Sequence, residues 1–302
     1  MQLYTINTGQ FKLDGGAMFG VVPKKLWSKT NAADENNLCK WALRCLLIED
    51  GNRLILIDNG IGTKQDEKFL SHYFLNGTDS MEGSLNKAGF TLADVTDMFL
   101  THLHFDHCGG SIQYNKNHTA FETVFKNATY WSNIEHWAWA VNPNPREKPS
   151  FLKENIFPIL ESGQLKHITH QPVLAFEANK ELNVGGDYIN TNQLGDNFSI
   201  MLTRGHTDAM MIPHIQYKGK TVVFMADLLP SVGHIPLPYV MGYDTRPLLT
   251  LTEKEKFLLR AADEEFILFM EHDSVNECCT VQRTEKGVRL KDTFKLNEYF
   301  GD

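Results

Sequence analysis

Three histidines and one aspartate fall within six consecutive positions of this chain, in the run His102-Leu103-His104-Phe105-Asp106-His107. An apolar segment, residues 95–100, precedes the run and predicts a short buried strand. Gly109 and Gly110 follow closely and permit a tight turn. Neutral imidazole and carboxylate are ligands that suit zinc and related divalent cations. A strand that ends in a loop of such side chains predicts a metal site at the end of a sheet.

Four further strand-like apolar segments also end in a side chain of metal-ligand type. They lead to Asp58, His206, Asp227 and His272. Because neighbouring strand ends lie along the same edge of a sheet, we expect these side chains to converge with the histidine-rich run. One such strand end would be weak support, but five in one chain predict a common site.

The composition is that of an ordinary globular protein of 302 residues, with 42% apolar and 22% charged residues. A formal net charge of −8 argues against binding to nucleic acid or to an anionic membrane. The five cysteines are odd in number and show no zinc-ribbon spacing, so we expect free thiols and a cytoplasmic protein. The amino-terminal sequence does not resemble a secretion signal, and no stretch approaches the roughly 20 apolar residues that span a bilayer.

Predicted strands outnumber predicted helices, and the two interleave along the chain, which favours packed sheets with helices outside them. Helices are predicted over residues 64–75, 80–88, 150–161 and 252–262. Short strands are predicted over residues 41–48, 53–57, 128–132, 171–175, 181–191, 198–203, 211–217, 220–226 and 266–270. An irregular arm is predicted over about residues 9–40. It would cover the chain's own core or dock on a second subunit, so a homodimer is one expectation.

The run from His102 to His107 matches the HxHxDH signature of the metallo-β-lactamase superfamily. Shorter matches accompany it: Asp58-Asn59-Gly60 resembles the family's early Asp-containing turn, Gly205-His206-Thr207 its third motif, Ala226-Asp227 its bridging carboxylate and Glu271-His272-Asp273 its final histidine. The layout is most similar to the lactonase and organophosphate-hydrolase branch. The resemblance implies an α+β fold, a single domain over residues 1–302 built as a four-layer αββα sandwich, with metals at one edge of the paired sheets.

The resemblance also implies a ligand set for two cations. These are His102, His104 and His206 for one cation, Asp106, His107 and His272 for the other, and Asp227 as the bridge. Asp58 is expected to orient a ligand imidazole through its second ring nitrogen. Because seven ligands exceed the four of a tetrahedral zinc, two divalent cations are expected, with zinc as the first choice.

The implied function is a dinuclear metal-dependent hydrolase, in which a metal-bridging hydroxide attacks a small ester or lactone. Asp106 or Asp227 would carry the proton. His234 and Tyr239, with Tyr243, lie in the loop that leaves Asp227 and are expected to face the substrate and donate to a developing oxyanion.

Several alternatives remain open at this point. The same site would suit a phosphotriester, thioester or phosphodiester substrate, although the negative net charge argues against nucleic acid. A diiron oxidoreductase would need a glutamate where this chain has His104, and a flavin domain for which no length remains. A non-catalytic metal-binding member would have lost ligands, and none is missing here.

One segment departs from the family pattern. After Gly205-His206-Thr207 many relatives continue with Pro-Gly-His, whereas this chain continues with Asp208-Ala209-Met210. The replaced residues are not the usual ligands, so the metal site is expected to persist, and the shape of the neighbouring loop is left open.

Overall fold

Two β-sheets form the centre of the computed structural model, which describes residues 1–169, 188–190 and 193–301. In the described part the first sheet has six strands, in this spatial order: β1 (Gln2–Asp14), β2 (Leu38–Asp50), β3 (Arg53–Ile57), β4 (Asp97–Phe99), β7 (Thr129–Asn133) and β8 (Leu165–Ile168). A separate hairpin consists of β5 (Ile112–Tyr114) and β6 (Phe121–Thr123).

The second sheet has seven strands among the described residues. In chain order they are β9 (Tyr188–Asn190), β10 (Phe198–Thr203), β11 (Met210–Tyr217), β12 (Lys220–Phe224), β13 (Ile267–Phe269), β14 (Cys278–Thr284) and β15 (Gly287–Phe294). Their spatial order runs without interruption from β15 back to β9. Neighbouring strands are antiparallel except β12 and β13, which are parallel.

The helices lie between and outside these strands. They are α1 (Gly15–Phe19), α2 (Lys24–Trp27), α3 (Glu67–Ser71), α4 (Met81–Lys87), α5 (Phe105–Cys108), α6 (Ile134–Val141), α7 (Lys153–Glu161), α8 (Pro247–Asp263) and α9 (Leu296–Phe300). None of the described helices is long and apolar enough to cross a membrane.

Alternation along the strands of the first sheet separates two cores, because successive side chains of a strand point to opposite faces. Leu46 and Ile48 belong to the core that also holds the residues of the second sheet. Leu47, between them, belongs to a different core that includes residues of α4, α6 and α7. On the second sheet, Phe257 and Leu258 of α8 pack on the core. The predicted four-layer αββα arrangement is confirmed.

The strand register brings the predicted ligands to one edge. Ile57 of β3 pairs with Phe99 of parallel β4, so these two strands end at the same level. Phe224 of β12 pairs with Phe269 of parallel β13, and these strands also end together. The ligand-bearing segments begin within a few residues of each of these ends.

The predicted irregular arm is wrong over much of its length. The antiparallel pairing of β1 with β2 continues as far as Asp14 with Leu38, and two short helices, α1 and α2, lie between these strands. The apolar side chains of this region are buried against the chain itself, since Phe19 and Trp27 stack at 5.3 Å between ring centroids.

Three other outcomes concern the predicted strands and helices. The predicted strand at residues 171–175 and most of the one at 181–191 lie outside the described residues. The pair β14 and β15 was not predicted, because its outward positions carry alternating charged and polar residues with few apolar ones. Predicted helices 64–75 and 252–262 are found as the shorter α3 and the longer α8.

The sandwich core gives a stability prediction. Leu46 is fully buried between the sheets, whereas Leu248 on α8 is 79% exposed. We expect Leu46→Ala to lower the free energy of unfolding by about 2–5 kcal/mol, through lost burial and the cavity left behind. The matched Leu248→Ala variant should change it by no more than about 0.5 kcal/mol. Urea unfolding monitored by circular dichroism measures both, and equal effects would contradict this assignment of the core.

Candidate metal centre

Three imidazole nitrogens and one carboxylate meet at the edge where the strands end. His104 Nδ1 lies 3.1 Å from His102 Nε2 and 3.2 Å from His206 Nε2. Asp227 Oδ2 lies 3.0 Å from His206 Nε2 and 3.8 Å from His102 Nε2. One ligand atom from each of these four side chains falls within 4.8 Å of the others. This is the first set that the resemblance implied.

The second set lies on the other side of Asp227. His107 Nε2 and His272 Nε2 are 3.2 Å apart, and Asp106 Oδ2 lies 3.8 Å from the former and 3.9 Å from the latter. Asp227 Oδ1 lies 3.2 Å from His272 Nε2, while Asp227 Oδ2 lies 3.4 Å from His107 Nε2. The structure therefore places all seven predicted ligands together, with Asp227 between the two sets.

Each histidine of the centre has a partner for the ring nitrogen that faces away from it. These pairs are His102 Nδ1 with Thr101 Oγ1 at 3.1 Å, His104 Nε2 with Glu147 Oε1 at 3.4 Å, His107 Nδ1 with Asp58 Oδ2 at 3.1 Å, His206 Nδ1 with Asp244 Oδ1 at 3.0 Å and His272 Nδ1 with the Ala42 carbonyl at 2.8 Å. Partners of this kind fix the orientation of a ligand ring and increase its basicity.

The sequence analysis missed Glu147 and Asp244. Both lie in loops outside the motifs, and both are buried, with 3% and 1% exposure. Burial acts to raise the pKa of Glu147, but the neighbouring polar groups of His104 and Thr207 outweigh it and lower the pKa to about 2. A buried carboxylate held ionised beside His104 is a signal that only the folded chain provides.

His107 has two buried carboxyl groups beside the same nitrogen. Glu271 Oε2 lies 3.1 Å from His107 Nδ1, the same distance as Asp58 Oδ2. Burial, aided by Asp58 and opposed by His107, raises the pKa of Glu271 to about 7. Asp58 also accepts the backbone N–H of Thr101 at 2.8 Å, which ties the end of β3 to the start of the histidine run.

The electrostatics of the centre favour positive charge. Burial acts to lower the pKa of His206, but Asp227 and Asp244 raise it to about 10. For Asp227 the balance is reversed, because His206, His107 and His272 hold its pKa well below the usual value despite burial. Buried carboxylates that are stabilised by positive charge on neighbouring imidazoles can be stabilised by divalent cations in the same place.

The donor set fits divalent cations in another respect. Among the described residues no hydrogen bond reaches the buried Asp227 Oδ1. Ring nitrogens that face one another at 3.1–3.2 Å also need a shared proton or cation between their lone pairs. Imidazole and carboxylate together suit zinc and its divalent relatives.

Comparison with known proteins gives a family and a fold. The family model of the metallo-beta-lactamase superfamily matches residues 44–272. The chain belongs to the metallo-β-lactamase superfamily.

Solved structures agree with this assignment. A probable metal-dependent hydrolase from Staphylococcus aureus is 25% identical, with a TM-score of 0.78, and the match covers 97% of this chain and 98% of that one. AidC, a dizinc quorum-quenching lactonase, is 22% identical with a TM-score of 0.72, and AbOPH, a hydrolase of the beta lactamase superfamily, is 19% identical with a TM-score of 0.71. Each of these two matches covers 97% of this chain and 95% of the other. No curated protein matches the chain.

The membership and the site together make this chain a hydrolytic enzyme of the metallo-β-lactamase superfamily, with residues able to hold divalent cations.

The packing around the histidine-rich run explains why two glycines, Gly109 and Gly110, follow it. A Cβ on Gly109 would lie 2.1 Å from the Ile61 carbonyl oxygen, and one on Gly110 would lie 2.2 Å from that of Asn59. Neither glycine has a positive φ, so backbone conformation does not require it. The close approach of the two backbones does, because any side chain here would overlap a carbonyl oxygen.

A cavity of about 310 Å³ opens onto the metal centre. Its floor includes ligands from both sets, among them His104, Asp106 and His272. The walls are largely apolar or aromatic and include Phe11, Leu13, Met18, Tyr73, Phe105, Met241 and Tyr243, with Arg146 as a cationic side chain among them. Phe11, Leu13 and Met18 come from the region predicted to be an irregular arm, so that region forms one wall of the candidate active site.

His234 and Tyr239 do not line this cavity. His234 is 1% exposed, its Nε2 donates to the Met18 carbonyl at 2.9 Å, and its Nδ1 accepts from Ser231 Oγ at 2.9 Å. Both ring nitrogens are thus engaged away from the cavity, which counts against the predicted oxyanion role. Tyr239 packs edge-on against Phe19, and its carbonyl accepts from Lys254 Nζ. Of the tyrosines in that loop, Tyr243 lines the cavity.

The position of Asp227 between the two sets gives a prediction about cation content. Asp227→Ala removes an oxygen ligand from both sets, so we expect the purified variant to lose at least one of the equivalents that the wild type retains after dialysis. Plasma mass spectrometry measures this content. Asp292→Ala, on the exposed β15, serves as the control and should retain the wild-type content. Full cation content in the Asp227 variant would contradict the bridging position.

The buried ring of His234 gives a pH prediction. Burial lowers the pKa of His234 from 6.5 to about 3. Below pH 6.5 the unfolded chain binds a proton there that the folded chain does not, so stability falls as the pH decreases from 6.5 towards 3. This contribution has a slope of up to about 1.4 kcal/mol per pH unit.

We therefore expect His234→Gln to reduce the pH dependence of stability between pH 6.5 and 4.5. Urea unfolding in the presence of a chelator measures the dependence without a contribution from bound cations. His72→Gln, at an exposed histidine, should leave the slope unchanged. The same slope in the His234 variant as in the wild type would show that this ring titrates normally.

Proposed function

We propose that this chain is a dinuclear metal hydrolase that opens lactones or cleaves small, fairly apolar esters. The observation that carries the proposal is the convergence of two ligand sets around Asp227 at the floor of an apolar cavity. Two zinc ions are the proposed cations, held by the two sets in the way that the resemblance implies. When bound, such cations supply Lewis acidity and lower the pKa of coordinated water to about 7.

The chain's own carboxylates are placed to move the proton. Asp106 has a side chain that is 12% exposed at the cavity floor, so it can exchange a proton with a substrate in the cavity. Asp227 is 9% exposed at its side chain and lies between the two ligand sets. We assign to this pair the transfer of a proton to the leaving alkoxide, with Asp106 the more accessible of the two.

Two neutral phenols are available to bind the substrate carbonyl. Burial, with smaller effects of Tyr73 and Asp106, raises the pKa of Tyr243 to about 12. Burial and Asp106 raise the pKa of Tyr73 to about 12 as well. Both hydroxyls are protonated at pH 7 and can donate. We assign to Tyr243 the oxyanion role that the sequence suggested for its loop, because it lines the cavity.

The cavity limits the substrate class. Its volume of about 310 Å³ suits a small molecule, and its apolar walls suit an alkyl or acyl group beside the reacting carbonyl. The named relatives support this choice, since AidC is a lactonase solved with an acyl-homoserine product. The net charge of −8 argues against a nucleic-acid phosphodiester. The region that suggested a homodimer packs on its own chain. This packing does not test for a second subunit, so the homodimer stays a prediction.

The proposal predicts lactone opening by the purified, zinc-loaded protein. Proton release in weakly buffered solution measures the reaction for lactones with an acylamino substituent and for aryl esters. Phosphotriesters, thioesters and phosphodiesters form the comparison panel, since the same ligand set would suit them. Hydrolysis confined to one of these comparison classes, with lactones and aryl esters untouched, would replace the proposed substrate.

Tyr243→Phe tests the oxyanion assignment. Loss of the phenolic donor should lower kcat by about 10²-fold with a smaller change in KM, because the hydrogen bond strengthens as negative charge develops. The matched Tyr114→Phe variant, on the exposed hairpin, should keep wild-type kinetics. An unchanged kcat in the Tyr243 variant would remove this residue from the mechanism and leave the cation site unaffected.

A further inference from the structure

The three histidines of the first ligand set come from two segments that are far apart in the chain. His102 and His104 follow β4, whereas His206 follows β10 in the other sheet. The ring nitrogens of His104 and His206 nevertheless lie 3.2 Å apart. A cation site of this kind requires that the two backbones be held at a fixed separation.

His136 lies between these two backbones. It is a residue of α6, it is 1% exposed, and it is not one of the seven ligands. Its Nε2 accepts the backbone N–H of Leu103 at 2.8 Å, and its Nδ1 lies 2.6 Å from the carbonyl oxygen of Asp208. Leu103 separates His102 from His104, and Asp208 is two residues after His206.

These partners determine the tautomer of His136. A backbone N–H can only donate, so Nε2 must present its lone pair to Leu103. A carbonyl oxygen can only accept, so Nδ1 must carry the hydrogen and donate it to Asp208. The neutral ring therefore satisfies one group from each segment at the same time. A side chain with only donors or only acceptors could not do so.

Asn133, the residue that caps the start of α6, strengthens the same connection. Asn133 Oδ1 accepts the backbone N–H of His136 at 2.8 Å, and Asn133 Nδ2 donates to the carbonyl of Ala209 at 2.8 Å. The carbonyls of Asp208 and Ala209 are thus both bound by α6 and its capping residue. Ala209 has a φ of +53°, an unfavourable value for alanine that such hydrogen bonds can hold in place.

The backbone of Leu103 is fixed on its other side as well. Its carbonyl accepts from the Cys108 thiol at 3.4 Å, while its N–H is bound by His136. The peptide groups between the two ligands His102 and His104 therefore have little freedom to turn. The segment Asp208-Ala209, where this chain departs from the family pattern, is the segment that His136 binds.

We propose that His136 is a positioning residue of the first cation site, which sets the distance between the His102–His104 segment and the His206 segment. The inference rests on the proposed function in one respect, since it takes these histidines to hold a cation. The ring itself would not touch the cation or the substrate. It would act through the backbones of Leu103 and Asp208.

Two substitutions separate positioning from simple core packing. His136→Phe keeps a ring of similar size and removes both hydrogen bonds. His136→Gln can keep an acceptor near the position of Nε2 and so retain the bond to Leu103. His214→Phe is the matched control, because His214 is also buried, at 2%, and its ring packs against Phe257 and Phe266 in the other part of the core.

Three measurements are made on the full chain. Competition with a chromophoric chelator gives the zinc affinities, the visible spectrum of the cobalt-loaded protein reports the ligand geometry, and thermal unfolding of the cation-free protein reports stability. We expect His136→Phe to weaken one of the two zinc affinities by about 10- to 100-fold and to change the cobalt spectrum. His136→Gln should show a smaller loss, and His214→Phe should lose stability with wild-type affinities and spectrum.

Wild-type zinc affinities and an unchanged cobalt spectrum in His136→Phe would overturn the inference, whatever its stability. If that variant does not fold, wild-type affinities in His136→Gln together with the spectrum of the wild type would overturn it instead. The proposed function fails separately: a wild-type protein that binds two cations but opens no lactone and cleaves no ester contradicts the function and leaves the role of His136 intact.

Discussion

The carboxylate of Asp227 is the contact on which the rest of this site depends. It is buried, and four imidazole nitrogens from three different segments lie within 3.0–3.8 Å of its oxygens. A buried carboxylate is costly unless positive charge compensates it. The two sheets provide this positive charge, because their strands end at the same level and so place histidines from both sheets at one edge. The same arrangement that stabilises the carboxylate also forms the sites for cations.

Several buried polar groups that are not ligands hold the imidazole rings of the ligands in their orientations. Carboxyl groups from Asp58, Glu147 and Asp244, a threonine hydroxyl and a backbone carbonyl each face a different ligand ring. His136 extends this principle from side chains to backbones. A centre held in this way is preorganised, so that binding of cations and substrate needs little rearrangement.

The layers and the convergence of the predicted ligands could be predicted from the sequence, partly from patterns that are local in the chain and partly from the family resemblance. Apolar strands that end in histidine or aspartate are visible one segment at a time. Glu147 and His136 were missed because their roles depend on which loop lies across from them after folding. The arm was misjudged where it was predicted to begin, at Gly9. In the structure it marks a register shift between Asn7 and Gln10, and the strand continues beyond it. His234 was expected at the substrate because it follows Asp227 closely in sequence, but closeness in sequence does not determine which way a ring turns, and this ring faces the Met18 carbonyl.

Anomalous diffraction from zinc-grown crystals of the wild-type protein, recorded on both sides of the zinc absorption edge, tests the central claim most directly. The account predicts two peaks about 3.5–4 Å apart, one beside His102, His104 and His206 and the other beside Asp106, His107 and His272, with Asp227 reaching both. A single peak would reduce the centre to a mononuclear site. The absence of any peak at this edge of the sheets, in crystals of protein that binds zinc in solution, would contradict this claim.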